Sequence, residues 1–202
     1  MIGANAKDKG KFVYELPKNV VEVHEVFLDD ALRLKDSGKM FHAFTEEETN
    51  SLKELMLCRR PNWEILFRLY HDQKLNPMSF LRSEEFLNIL TECCIKDYPY
   101  TPFADAFHTM RSMLLPVLYL MGSEVPKADV YHAICTGYGG LLACLGGHVY
   151  KKKVLLTEHG IYTREREEEI IRAKWVQPAF KKQWISFFYM LSDIIYTRAF
   201  LV

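Results

Sequence analysis

Two short stretches of this 202-residue chain gather the residue types that bind and transform polar ligands. The first runs Thr157-Glu158-His159-Gly160-Ile161-Tyr162-Thr163-Arg164-Glu165-Arg166. His159 can donate a hydrogen bond to a sugar hydroxyl or a phosphate oxygen, and Glu158 can orient it or accept a hydroxyl proton. Gly160 permits a tight turn beside them. Arg164 and Arg166 carry the forked donors that grip phosphate or carboxylate. A competing assignment pairs both arginines with Glu165, Glu167, Glu168 and Glu169 at the start of a helix. The second stretch is Ile134-Cys135-Thr136-Gly137-Tyr138-Gly139-Gly140. Its glycines let backbone approach a ligand closely, and a helix starting there offers free N–H groups to an anion. Close packing of a strand against a helix accounts for the same glycines equally well. His132, just upstream, could point into the same crevice, although a lone strand histidine is more often structural.

Other chemistries are absent. Leu142 breaks the G-x-G-x-x-G pattern of dinucleotide-binding turns, which counts against an NAD-dependent oxidoreductase, and no G-K-[ST] follows to make a P-loop. There is no G-x-S-x-G elbow, no Cys-His nucleophile pair and no H-E-x-x-H. The five cysteines, Cys58, Cys93, Cys94, Cys135 and Cys144, form no C-x-x-C pair and are odd in number. They read as reduced, mostly buried thiols of a cytoplasmic protein. No Cys/His group has metal-ligand spacing, so no metal is expected. His24, His42, His71, His108 and His148 belong to no constellation.

The elements that must position these residues are legible in outline. Asn19 to Leu28 is rich in β-branched residues and reads as a strand. Thr45 opens a T-E-E-E cap and a helix to Cys58, and Asn62 caps a second helix to about Gln73. A third helix is expected over Ser79 to Ile95 and a fourth from Pro102 to Met121, kinked at Pro116. Asp129 to Ile134 reads as a short strand, with a small-residue helix from Leu141 to Tyr150 after the glycine turn. Lys153 to Thr157 lacks polar alternation, which suggests a strand covered on both faces. Glu165 to Ile171 is an acidic helical start, and Pro178 opens a long amphipathic helix. In that helix Trp184, Phe187, Phe188, Met190 and Leu191 fall at core spacing, with a partner-facing side left open. This β-α-β-α order implies an α/β domain with a parallel sheet of doubly wound type and a large helical insertion at about 45–121. Ligands bind such sheets at the carboxyl ends of the strands, where both chemical stretches lie.

Composition sets the boundaries. With 49% hydrophobic and 13% aromatic residues the chain is not disordered. At this length it buries about 70% of its unfolded surface. The 26 basic and 26 acidic residues give no positive excess, which argues against nucleic acid as a partner. Neither Met113 to Met121 nor Ile185 to Val202 makes a transmembrane helix, and no signal peptide opens the chain.

Tyr14 to Val20 (Y-E-L-P-K-N-V), Asp129 to Gly140 (D-V-Y-H-A-I-C-T-G-Y-G-G) and Leu155 to Arg166 (L-L-T-E-H-G-I-Y-T-R-E-R) closely resemble the PelF-like glycosyltransferases of family 4. The resemblance is to the N-terminal half of those enzymes and spans nearly all of this chain. It implies the Rossmann-like, acceptor-side half of the two-domain GT-B architecture, in an enzyme that transfers a hexose with retention from a UDP-sugar, UDP-glucose by expectation, to a growing exopolysaccharide. It puts His159, Glu158 and Gly160 on the cleft wall as candidate catalytic and binding residues. Thr136, Gly137, Tyr138, Gly139, Tyr162, Arg164, Arg166 and His132 are the remaining candidates for substrate binding. It implies no metal or other cofactor, the UDP-sugar donor and polysaccharide acceptor being the ligands. Relative to the family, a first strand and the C-terminal donor-binding domain with its E-x7-E motif are missing. The chain is therefore expected to be a fragment or truncated form, inactive alone, and cytoplasmic or peripheral at the inner face of the membrane. The alternative is a non-catalytic domain that docks onto a membrane exopolysaccharide assembly through the aromatic 178–202 helix and the helical middle.

Overall fold

The computed structural model describes residues 1–13, 15–34 and 41–202. Its N-terminal part is a two-stranded parallel ribbon, β1 (Ile2–Gly3) beside β2 (Val26–Phe27). Helices then fill the chain from α1 (Glu46–Met56) through α2 (Trp63–Phe67), α3 (Pro77–Leu81) and α4 (Glu84–Asp97) to α5 (Phe103–Met121). Local chemistry starts each of the first four. Thr45 and Glu48 close a reciprocal capping box on α1, and Asn62, Asn76 and Ser83 accept from N–H groups of the next three. Glu48 is buried and also meets His42 Nε2 at 2.9 Å. Along α5, every side chain from Met113 to Met121 is buried except Pro116 and Tyr119. A helix apolar on nearly every side belongs at the centre of a core, and α5 is that helix.

The C-terminal part is a β-α-β-α-α-β unit. Its strands, β3 (Val130–Ala133), β4 (Lys153–Leu156) and β5 (Ala199–Leu201), run parallel in sequential order. His132 stands opposite Leu155 and Ala133 opposite Leu156. Helix α6 (Gly137–Tyr150) joins β3 to β4; α7 (Tyr162–Arg172) and α8 (Lys181–Arg198) join β4 to β5. Helices α6 and α8 pack against each other on the same side of the sheet. Tyr131, Ala133, Val154 and Leu156 point into that core, with Phe187, Leu191, Ile194 and Ile195 of α8 above them. Glu64 ties the two parts together: one oxygen lies 2.6 Å from Arg198 Nη2, the other 2.6 Å from His148 Nδ1. Burial alone would raise the Glu64 carboxyl, but Arg198 and His148 outweigh it and hold it below the ordinary value.

Several expectations are corrected. The strand expected over 19–28 shrinks to Val26–Phe27, because the preceding residues find no ladder partner and Val21 is exposed. Strand propensity without a neighbouring strand does not make a strand. The helix expected over Ser79 to Ile95 is two helices, broken where Ser83 leaves helical geometry and accepts from Phe86 N–H with Glu84 and Glu85 in the first turn. Helix α6 begins at Gly137 rather than Leu141. Helix α5 spans Phe103–Met121 with Pro116 inside it, within the bounds expected for it. Lys153–Leu156 is covered on one face only: Val154 and Leu156 are buried, Lys153 is exposed. Tyr14, the first residue of the Y-E-L-P-K-N-V segment, lies outside the described residues.

Candidate functional site

The two chemical stretches are far apart in sequence and adjacent in space. Parallel pairing of β3 with β4 brings the turn after Ala133 and the turn after Leu156 to the same carboxyl edge. Thr157 N–H donates to the Ala133 carbonyl at 2.9 Å and extends the register into the turn. Gly137 has φ +66, a left-handed conformation that disfavours side chains, and a Cβ there would meet the Tyr162 ring at 2.7 Å. The glycine turn and the Tyr162 ring therefore touch, and only the absence of a side chain at 137 allows it.

Glu158 is committed at both oxygens. Oε1 accepts from Tyr162 N–H at 3.2 Å, and Oε2 accepts from the Tyr196 hydroxyl. The first bond satisfies a free donor at the α7 N-terminus, and the second fastens that turn to the end of α8. Burial, then the bond to Glu158, pushes the Tyr196 phenol up to about 12. Burial likewise pushes Tyr162 up to about 12, against the opposing effect of Arg166. Both phenols are neutral donors at pH 7. His159 and Gly160 are exposed beside this anchored turn. Among the described residues His159 has no side-chain partner, so its imidazole is free to meet a ligand.

The remaining candidates divide. The Thr136 hydroxyl is buried and bonded to Ser192 Oγ at 2.8 Å, so it locks α6 to α8. The Tyr138 ring lies edge-on to Phe187 and Phe188, and burial raises its phenol far above the ordinary value. Both belong to the floor beneath the site. Gly139 would place a Cβ 3.1 Å from Cys135 Sγ, and Gly140 one 2.9 Å from Ile195. Close packing thus explains part of the glycine run, as the alternative reading had it. Arg164 faces Glu168 at 3.7 Å; Arg166 pairs with Glu169 at 2.6 Å and lies over the Tyr162 ring at 5.4 Å. The helix-internal pairing of the arginines is therefore present. His132 Nε2 meets Thr157 Oγ1 at 2.8 Å on the exposed side of the sheet, the face opposite α6 and α8.

Among the described residues no side chain caps the N-terminus of α6, whereas Glu158 accepts from the first N–H of α7. The uncapped end leaves first-turn N–H groups for a negatively charged atom at the crevice. Sequence reasoning missed two participants here, Tyr196 and Ser192. Both lie on α8, about forty and sixty residues from the turns they bind, and only a register of α8 against α6 could have revealed them. It also missed that Cys135 is exposed at the rim, where partial desolvation of Sγ and the charge of Glu158 raise its thiol above the ordinary value.

A concavity of about 990 Å³ lies elsewhere, between the α1–α2 connection and the outer face of α8, and none of the candidates lines it. Among the described residues no cluster of three or more His, Cys, Asp or Glu side chains could hold a metal ion. Nor is any of their helices long and apolar enough to cross a membrane. The aromatic residues of α8 that were expected at core spacing are in the core, Trp184, Phe187 and Phe188 among them.

These features define an α/β protein with short parallel sheets, many helices and two turns that meet at the carboxyl edge of two adjacent strands. The chain belongs to the family described as a domain of unknown function, DUF3492, whose model matches residues 1–202. No curated protein and no solved structure matches it.

Proposed function

We propose that this chain forms the Rossmann-like, acceptor-side part of a retaining GT-B glycosyltransferase that moves a hexose from a UDP-sugar, UDP-glucose in the first instance, to a growing exopolysaccharide. The observation that supports this is the meeting of the Thr136–Gly139 turn and the Glu158–Tyr162 turn at one strand edge, with the uncapped α6 N-terminus and the unpartnered His159 beside them. A departing nucleotide needs its negative charge met by fixed donors, and oriented backbone N–H groups with an imidazole supply them. In the transfer, the bond from the anomeric carbon to the diphosphate oxygen breaks and one to an acceptor hydroxyl oxygen forms. The hydroxyl proton leaves with the nucleotide. His159 donates to the diphosphate, while Glu158, already engaged by Tyr162 and Tyr196, positions the turn that presents it. Tyr162 and Gly160 line the approach.

Hydrogen–deuterium exchange on the chain tests this reading. Millimolar UDP-glucose should slow exchange at residues 136–140 and 157–162, and NAD at the same concentration should not. Protection by NAD, or no protection of these turns by UDP-glucose, would refute it.

A further inference from the structure

Beyond Gly160 the outer surface of α7 continues as a shallow groove of about 490 Å³. Glu165, Glu168, Glu169 and Arg172, spaced by three and four residues, line it, and Trp175 closes its far end with Ala173. The groove follows α7 from Glu165, whose carboxylate lies against Gly160, to Trp175. Trp175 is 64% exposed, an unusual position for the largest side chain. Yet it is not loosely held: its ring meets Trp184 edge-on at 5.4 Å, and Trp184 is fixed against Phe187 and Phe188. The ring is thus a pre-oriented apolar platform that loses little freedom when something lies against it. Glu165, at the near end, is exposed and makes no ion pair or side-chain hydrogen bond among the described residues. Glu168 is held only by longer contacts, 3.7 Å to Arg164 and 3.6 Å to Arg172.

We propose that this groove binds a glycan chain without acidic groups, and that it leads such a chain to the crevice. A pyranose presents an apolar C–H face and an edge of hydroxyl donors. The electron-rich indole face attracts polarised C–H groups as it attracts cations. Ionised carboxylates only accept hydrogen bonds, so Glu165 and Glu168 suit hydroxyls. Glu169 is held by Arg166, and Glu168 lies between Arg164 and Arg172, so the one unpaired charge along the groove is the Glu165 carboxylate, which disfavours uronate or sulfated chains. The identity of the ligand as an acceptor rests on the glycosyltransferase reading; its chemistry rests on the groove.

Calorimetric titration of the chain with cellohexaose, chitohexaose and hexagalacturonate is the test. At least one of the two neutral chains should bind, and hexagalacturonate should bind about tenfold more weakly or not at all. Trp175→Ala should weaken the neutral chain by about tenfold or more and Trp175→Phe by only a few-fold, because the phenyl ring retains an aromatic face. Glu165→Gln should reduce the discrimination against hexagalacturonate, and an unchanged melting temperature would show that these exposed positions leave the fold intact. The inference fails if neither neutral chain binds at millimolar concentration, if Trp175→Ala binds like the parent, or if hexagalacturonate binds as well as the neutral chains. Glycan binding lost with Trp175→Ala, but no UDP-glucose protection at 136–140 and 157–162, would overturn the transferase reading and keep the groove. The converse would overturn the groove alone.

Discussion

The helical region from α1 to α5 and the β-α-β-α-α-β unit after it solve the burial problem in different ways. In the helical region many large apolar side chains are hidden completely: Leu52, Leu66, Phe67, Phe80, Phe86 and Leu118 are all inaccessible. Its polar side chains are spent on caps such as Thr45, Asn62 and Ser83. The strand unit hides one side of its sheet under α6 and α8 and leaves the other open, with Val130, Ile134 and Phe200 exposed around the His132–Thr157 pair. Parallel sheets are ordinarily covered on both faces, so this unit is built less for maximal burial than to hold two turns at one edge. It does so through close backbone approach. Gly140 sits against Ile195, Gly146 against Tyr131 and Gly147 against Val154, each closer than a Cβ allows. The comparison teaches that buried volume holds both regions, Phe187, Leu191, Ile194 and Ile195 being as inaccessible as Phe67, and that the strand unit adds close backbone approach, which sets the turns bearing the candidate residues.

The largest effect should come from the helical side. Phe67 is fully buried, its ring tilted against that of His148 at 5.2 Å, with Arg198 over its ring at 5.5 Å. Phe67→Ala leaves a cavity at the joint between the two regions and should cost about 3–5 kcal/mol, read from urea unfolding. A loss below about 1 kcal/mol would mean that the joint carries no such load. Second in size is Gly137→Ala in the strand unit. The new methyl would face both the left-handed backbone and the Tyr162 ring, at a cost of about 1–3 kcal/mol. Because Tyr162 would have to move, its exchange protection should fall together with that of residues 157–162, whereas Phe67→Ala should leave the relative pattern there intact. Equal loss of protection in both variants would erase the distinction between a region held by buried volume and one held by close backbone approach as well.

How far the sequence discloses each region follows from the same physics. Caps act within four residues, so Thr45-x-x-Glu48 and Asn62 are legible locally and the helices they start begin where expected, the second passing into a π-helical turn at Arg68–Asp72. The Ser83 cap is equally local, and its apolar flanks masked it. Strands depend on partners elsewhere in the chain, so Asn19 to Leu28 looked like a strand and for the most part is not one. Lys153–Leu156 was readable as a strand, but how many of its faces are covered was not. At the site, Glu158, His159 and the glycine run could be picked out as chemistry because they are contiguous. Their division of labour could not. Thr136 is consumed by Ser192, Tyr138 by Phe187 and Phe188, and Glu158 by Tyr196, all partners on α8. No spacing rule spans that distance.

The smallest structural effect should fall on His159, the residue on which the proposed transfer depends most. His159 is exposed, packs against nothing that its loss would leave vacant, and has no side-chain partner among the described residues. Substitutions at such positions change stability by about 0.5 kcal/mol or less. His159→Ala should therefore melt like the parent chain and show the same exchange pattern without ligand. Its protection of residues 136–140 by UDP-glucose should nevertheless be lost, since the imidazole donor that complements the α6 N-terminus has gone. Glu158→Gln should behave differently. The amide retains a carbonyl oxygen for Tyr162 N–H or for the Tyr196 hydroxyl but cannot serve both as the carboxylate does, so that variant should loosen the start of α7 before any ligand is added. A His159→Ala chain that binds UDP-glucose like the parent would leave the uncapped helix end as the sole anion-facing group at the crevice and remove the imidazole from the reaction. A His159→Ala chain that unfolds early would instead show that the rim, too, is part of what holds the strand unit together.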